Sequence, residues 1–279
     1  MPRSFFDWKC TPDSPRASAN YATNMALDNR QLPLHSQFVY SYANLVYEAV
    51  LGKMEGVDDD FIDDWISDTE KAAKPSRTTL LHDLIRGLCG YANSETAWDA
   101  APYFADEVRE MMIAARMRPP SWLSEEGVEL SKVDRRSDVS DLADEAFDKA
   151  VVPSVFFILF SDRSFLHAFQ RKVATMVGEL SQKDHPDILQ ANGVLRRVPI
   201  PKWLKAGIFY RDRGQCQNCF KNLSGLGSPV SDDLHVDHIV PLAKSGSNDP
   251  TNFQLLCARC NHKKSSRSTT RIPTFTPYW

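Results

Sequence analysis

The stretch Leu234-His-Val-Asp-His-Ile-Val-Pro241 alternates apolar and polar residues and closes on a proline, the pattern of a short β-strand. Its polar set is unusual. A solvated strand edge is content with Thr, Ser or Lys, whereas this one carries His235, Asp237 and His238 within four positions. An imidazole can take a proton near pH 7 and a carboxylate can hold a hard divalent cation. A solvated strand edge is the competing reading, and the sequence on either side decides between them.

On either side stands a C-x-x-C pair, Cys216-Gln-Asn-Cys219 and Cys257-Ala-Arg-Cys260. Each presents two thiolates from one tight turn, and four thiolates saturate a tetrahedral Zn²⁺ with no position left for substrate. The spacing therefore predicts a structural zinc site. The surrounding segment is loop-rich and poor in large aliphatic residues, and small modules of that kind need such a staple. The N-terminal MPRSFFDWKC lacks the apolar run of a secretory signal. Together with the paired cysteines this predicts a reducing, cytoplasmic setting rather than disulfides. Val151–Phe160 (VVPSVFFILF) is the most apolar run, but it is half the length of a membrane span and contains Pro153, so a buried core helix is expected and no membrane partner.

The chain of 279 residues has a formal charge of −3, but the charge is unevenly placed. From Lys202 onward eleven Lys and Arg face five Asp and no Glu, a net of +6, which leaves −9 on the rest. A basic tail on an acidic body points to contact between the tail alone and an anionic polymer.

Residues 1–35 are rich in Pro, Ser and Asn and read as irregular. Helical stripes follow at Phe38/Tyr42/Leu45/Val46/Ala49, Phe61/Ile62/Trp65/Ile66, Leu80/Leu81/Leu84/Ile85/Leu88 and Trp98/Phe104/Val108/Met111/Met112/Ala115, the last ended by Pro119-Pro120. Two further helices are expected over Val139–Ala150 and Ser154–Leu180. The acidic run Asp58-Asp59-Asp60 with Asp63-Asp64 interleaves with apolar residues and reads as a solvated helix face, while His82 and His167 read as core histidines. Pro186, Gly193, Pro199 and Pro201 break the periodicity over 181–201, so the expected domains are 1–198, helical, and 199–279. A short helix Lys202–Arg211 leads into the second.

The segment HVDHIVPLAKSGSNDPTNFQLLCARCNHKK, framed by the two cysteine pairs, resembles the HNH endonuclease family in its four-cysteine form. The Asp-His-Ile-x-Pro, Asn-Phe-Gln-Leu-Leu-Cys and Cys-Asn-His-Lys segments occur in the family's order, and the resemblance covers about residues 203–267. It implies a ββα-metal core: a strand carrying Asp237-His238, a short strand at Phe253–Leu256 and a helix beginning near Cys260. The fold class expected is thus an α-helical N-terminal domain plus a small, zinc-stabilised α+β module.

The resemblance implies divalent-metal-dependent hydrolysis of DNA, with His238 as general base and Asp237 as a ligand of Mg²⁺ or Mn²⁺. Asn261 follows the last cysteine, in register for a second ligand; the adjacent His262 is a rival ligand or phosphate contact, and its binding would make Ni²⁺ or Zn²⁺ plausible. Asn252, the family's central asparagine, is expected to hold the loop and orient His238. Arg211, Arg213, Arg259, Lys263, Lys264 and Arg267 are candidate phosphate contacts, and His235 has no assigned role. Family context inclines towards an anti-phage or mobile-element enzyme, with the helical domain selecting targets, binding a regulatory subunit or self-associating. The alternative is a non-catalytic zinc module that binds nucleic acid. One geometric difficulty stands: strict alternation puts Asp237 and His238 on opposite strand faces, yet both must serve one phosphate.

Overall fold

The computed structural model describes residues 37–54, 59–96, 101–123, 136–225 and 234–265. The expectations for 1–35, Asp58, Trp98 and Arg267 lie outside them. The described part of the N-terminal region is helical, with α1 Gln37–Val50, α2 Asp59–Ile66, α3 Thr69–Ala73, α4 Leu80–Thr96 and α5 Ala101–Ala114. Each matches an apolar stripe read from the sequence except α3, which is only five residues long. Asp68 starts α3, its side chain accepting from the backbone N–H of Glu70 and Lys71. On α2, Ile62 and Ile66 are buried while Asp64 is exposed, as expected for a solvated acidic face.

The last two helical expectations need correction. α6 (Arg136–Ala146) runs through a π-turn at Phe147–Val151 into α7 (Val152–Ser161), and α8 (Arg163–Glu179) follows at 102°. The single expected helix Ser154–Leu180 therefore does not exist. Asp162 breaks it: its backbone is extended, and its side chain accepts from the Phe165 N–H to cap α8. Pro153 follows directly on the π-turn, where the regular hydrogen-bond ladder is already interrupted. Val152, Val155 and Leu159 bury the apolar run in the core. Among the described residues no single helix is long and apolar enough to cross a membrane.

The segment 181–201 is also more ordered than its prolines imply. It holds a small antiparallel hairpin, β1 Leu189–Ala191 with β2 Val194–Leu195. Asn192-Gly193 forms the turn; Gly193 has φ +64° and lies so close to the end of α8 that a Cβ would meet the Gly178 carbonyl oxygen at 2.9 Å.

The C-terminal region follows its expected order: α9 Lys202–Arg211, β3 Leu234–His238, β4 Phe253–Cys257 and α10 Ala258–Lys264. β3 and β4 are antiparallel, pairing Leu234 with Cys257, Asp237 with Gln254 and His238 with Phe253. Two apolar cores support the whole. The larger fills the helical region and also takes in Ile239 and Leu242 from the loop after β3. The smaller holds Leu204, Ile208, Leu223, Phe253, Leu255, Leu256 and three of the paired cysteines, and Phe160 packs against both. Contacts of α8 with the turn Pro250–Asn252, and of β2 with the turn Leu242–Lys244, cross the composition break near 199.

Polar contacts join the two regions. Ser247, Asn248, Asp249, Thr251, Asn252 and Gln254 are all buried, although loops ordinarily run on the surface because their polar groups need water. Here the helices supply the partners. Leu80 N–H, at the start of α4, donates to Asp249 Oδ2 at 2.9 Å. Gln170 of α8 accepts from Ser247 Oγ at 2.8 Å and donates to Thr251 Oγ1 at 2.7 Å, while the Arg163 guanidinium donates to Gln254 Oε1.

Candidate active site and zinc knuckles

The first knuckle is a tight loop. Cys216 N–H donates to Lys221 O at 3.0 Å and Phe220 N–H to Cys216 O at 2.8 Å, with Phe220 held at φ 59°. Gln217 N–H reaches Leu255 O at 2.9 Å, tying this loop to β4. The second knuckle comes from the end of β4 and the first turn of α10. The four Sγ atoms lie within 4.8 Å of one another, and Cys219 and Cys257 are 3.8 Å apart. Tetrahedral Zn²⁺ with Zn–S bonds of about 2.3 Å requires sulfurs roughly 3.8 Å apart, so the set fits that ion. Burial pushes the Cys260 thiol up to about 12. Burial also acts against ionisation of Cys216, but backbone N–H donors from Cys257, Asn218 and Cys219 bring it down to about 7. Among the described residues this is the one cluster of three or more His, Cys, Asp or Glu with that geometry.

A second site opens on the other side of β3. A cleft of about 490 Å³ is lined by Arg197, His235, Asp237, His238, Asn261 and His262, among others. Asp237 and His238 reach it together because they end the strand: the chain bends at Ile239 and Val240, and α10 covers the flank. Lys264 Nζ lies 2.7 Å from Asp237 Oδ2 and donates to His238 O at 2.7 Å. Gln254 Nε2 donates to the same two oxygens at 3.3 and 3.2 Å. Both residues line the cleft at the end of β3, where the paired register with β4 stops.

His238 is 3% exposed, with its ring against Phe253 at 4.5 Å and Nε2 3.2 Å from Asn248 Oδ1. Burial lowers its pKa to about 4, against the opposing pull of the Asn248 hydrogen bond and the Asp237 charge. The imidazole is therefore neutral at pH 7, with one ring nitrogen unprotonated. Asn252, fully buried, touches no solvent. Its Oδ1 accepts from Val240 N–H at 2.8 Å, and its Nδ2 donates to Val240 O and Ser247 O at 3.0 and 2.7 Å. It holds the bend that follows His238.

The candidate phosphate contacts divide. Arg259 and Lys263 are exposed on α10, one turn apart, and Arg213 is exposed in the loop before the first knuckle. Arg211 turns inward: it pairs with Asp212, donates to Phe253 O at 2.6 Å and stacks on Phe160 at 4.8 Å. Lys264 is spent on Asp237, its side chain 7% exposed. Arg197 and His235 join the cleft without having been assigned a role. The signal for Arg197 was the pair Arg196-Arg197, just upstream of the basic tail as counted from Lys202.

A knuckle-framed β-hairpin and helix with Asp237-His238 at the strand end define a zinc-stabilised ββα nuclease-type module. Residues 216–267 match the family model for HNH endonuclease, and the four clustered cysteines place the match in the zinc-binding form of that family. Neither curated proteins nor solved structures give a match.

Proposed function

We propose that the chain is a divalent-metal-dependent endonuclease that hydrolyses DNA phosphodiester bonds in the cleft beside β3. The observation that carries this reading is that one cleft gathers Asp237, His238 and Asn261, a set for which a purely structural zinc module has no use. His238, neutral and facing the cleft, takes the proton of the attacking water. Asp237 Oδ1 and the Asn261 side-chain oxygen are the hard donors that would hold Mg²⁺ or Mn²⁺; His262, exposed on the cleft rim, would extend the choice to Ni²⁺ or Zn²⁺. Such an ion, when bound, stabilises the charge that develops on the leaving oxygen. Lys264 and Gln254 secure Asp237 through Oδ2. Arg197, Arg213, Arg259 and Lys263 present positive charge around the site for phosphates, giving affinity without base selection.

The test is plasmid nicking with Mg²⁺, with Mn²⁺ and with EDTA. Cutting is expected with either metal and none with the chelator. His238→Ala should lower the rate roughly 10²- to 10⁴-fold, the usual worth of a positioned base. Undiminished cutting by this variant would remove His238 from the mechanism.

A further inference from the structure

We infer that Asn248 is a positioning residue that fixes the proton of His238 on Nε2, and that the helical region holds Asn248 in the orientation this requires. The side chain is 1% exposed, and its Nδ2 donates to two backbone carbonyls, Ala73 O and Arg196 O, both at 2.9 Å. Those two acceptors decide which way the amide faces. The flipped amide would set its oxygen against two carbonyl oxygens, losing both hydrogen bonds for at most one new one to an unprotonated Nε2. The atom 3.2 Å from His238 Nε2 is therefore Oδ1. An amide oxygen only accepts, so Nε2 must carry the hydrogen, and the lone pair of the neutral ring lies on Nδ1.

The anchor is the last turn of α3. The final carbonyls of a helix have no partner within it, and α3 ends at Ala73. Ala73 O receives the Asn248 side chain, and Ala72 O receives the Asn248 backbone N–H at 2.7 Å. Next to it, Asp249 takes the Leu80 N–H, and Gln170 grips Ser247 and Thr251. A helix some 165 residues upstream in sequence thus sets the tautomer of the imidazole at the end of β3. The loop closes tightly on itself because Gly246 has no side chain: a Cβ there would meet Val240 O at 1.9 Å.

The catalytic consequence rests on the nuclease reading above, but the tautomer does not. The full chain, labelled with ¹⁵N-histidine, is examined by NMR at neutral pH, alongside Asn248→Ala. The His238 ring should show a single tautomer with the hydrogen on Nε2, and the variant a mixture of the two. In the nicking assay the variant should lose at least about tenfold in kcat, towards the roughly 10⁴-fold that a wrong tautomer costs a catalytic triad. KM for DNA should stay within about twofold, because a buried side chain makes no contact with substrate; a smaller folded fraction would also lower kcat alone, so kcat is referred to the folded fraction read from the same NMR spectra. A wild-type ring protonated on Nδ1, or averaging between tautomers, overturns the inference even if the variant fails to fold. A folded variant that keeps both kcat and the single tautomer overturns it too. A wild-type chain that cuts no DNA with any divalent ion defeats the nuclease reading, while the ring spectrum still decides the role of Asn248.

Discussion

His82 and His238 sit about equally far below the ordinary histidine pKa, both at about 4, and burial is the larger cause in each. Their surroundings give them different work. His82 stacks on Phe156 at 4.0 Å, and its Nδ1 accepts from the Thr79 N–H at 3.1 Å, so protonating Nδ1 would break a contact inside the core. His238 faces a cleft instead. The consequence for His82 is a matter of stability. Its folded pKa lies below the unfolded value of about 6.5, so the unfolded chain binds the proton first as the pH falls. The contribution is complete above about pH 6.5 and is lost progressively towards pH 4. Urea unfolding at pH 7 and pH 5 should show a larger loss in wild type than in His82→Gln, by about 1–2 kcal/mol given partial solvent screening. Equal losses in the two proteins would show that His82 is not a contributor.

At the scale of elements, the knuckles and the β3–β4 hairpin depend on each other. Three of the four cysteines are buried in the small core with Phe253, Leu255 and Leu256, and that core holds few other large side chains. Removing the metal should therefore loosen β4, and with it Gln254 and the grip on Asp237. Cys216→Ser, or prolonged chelation of the wild type, is expected to lower the metal content to below one zinc per chain and melt this module first. Hydrogen exchange would show loss of protection over residues 253–264 with α1 and α4 largely unchanged. A metal-free variant with full protection there would mean that apolar packing alone suffices. The hairpin was legible beforehand: the alternation of Leu234–His238 and the apolar run of Phe253–Cys257 both became strands. The break at Asp162 was not, because the apolar period continues across it and only the capping contact to Phe165 N–H reveals the turn. The hairpin at Asn192-Gly193 lies among prolines that break the periodicity, and its local signal is the Asn-Gly turn pair itself.

For the whole molecule, the composition break near residue 199 does not mark a seam in the packing. Ile239 and Leu242 belong to the helical core, and the run Ser247–Gln254 is satisfied by α3, α4 and α8. A fragment of residues 199–279 would leave Asn248, Asp249 and Thr251 without those partners and open to water, and would lose the contacts that fix the conformation of the loop. It is expected to bind zinc yet give a poorly dispersed NMR spectrum around the His238 loop, with nicking at least about tenfold below that of the full chain. A fragment as active and as ordered as the parent would make the helical region a separate appendage, free to serve target selection or partner binding alone.

The sequence by itself determined the helical class of the described residues between 37 and 179, the cysteine frame and the chemical identity of Asp237 and His238, because each is written in local spacing or residue type. It could not place partners that are distant along the chain. That Lys264 and Arg211 turn inward, that Arg197 lines the cleft, and that Asn248 joins His238 to the end of α3 were decided only by the tertiary structure. The physical reason is that a buried polar group takes whichever donor or acceptor the packed backbone brings within reach. For His238 that partner is held by two carbonyls, at Ala73 and Arg196, which no local pattern connects to it.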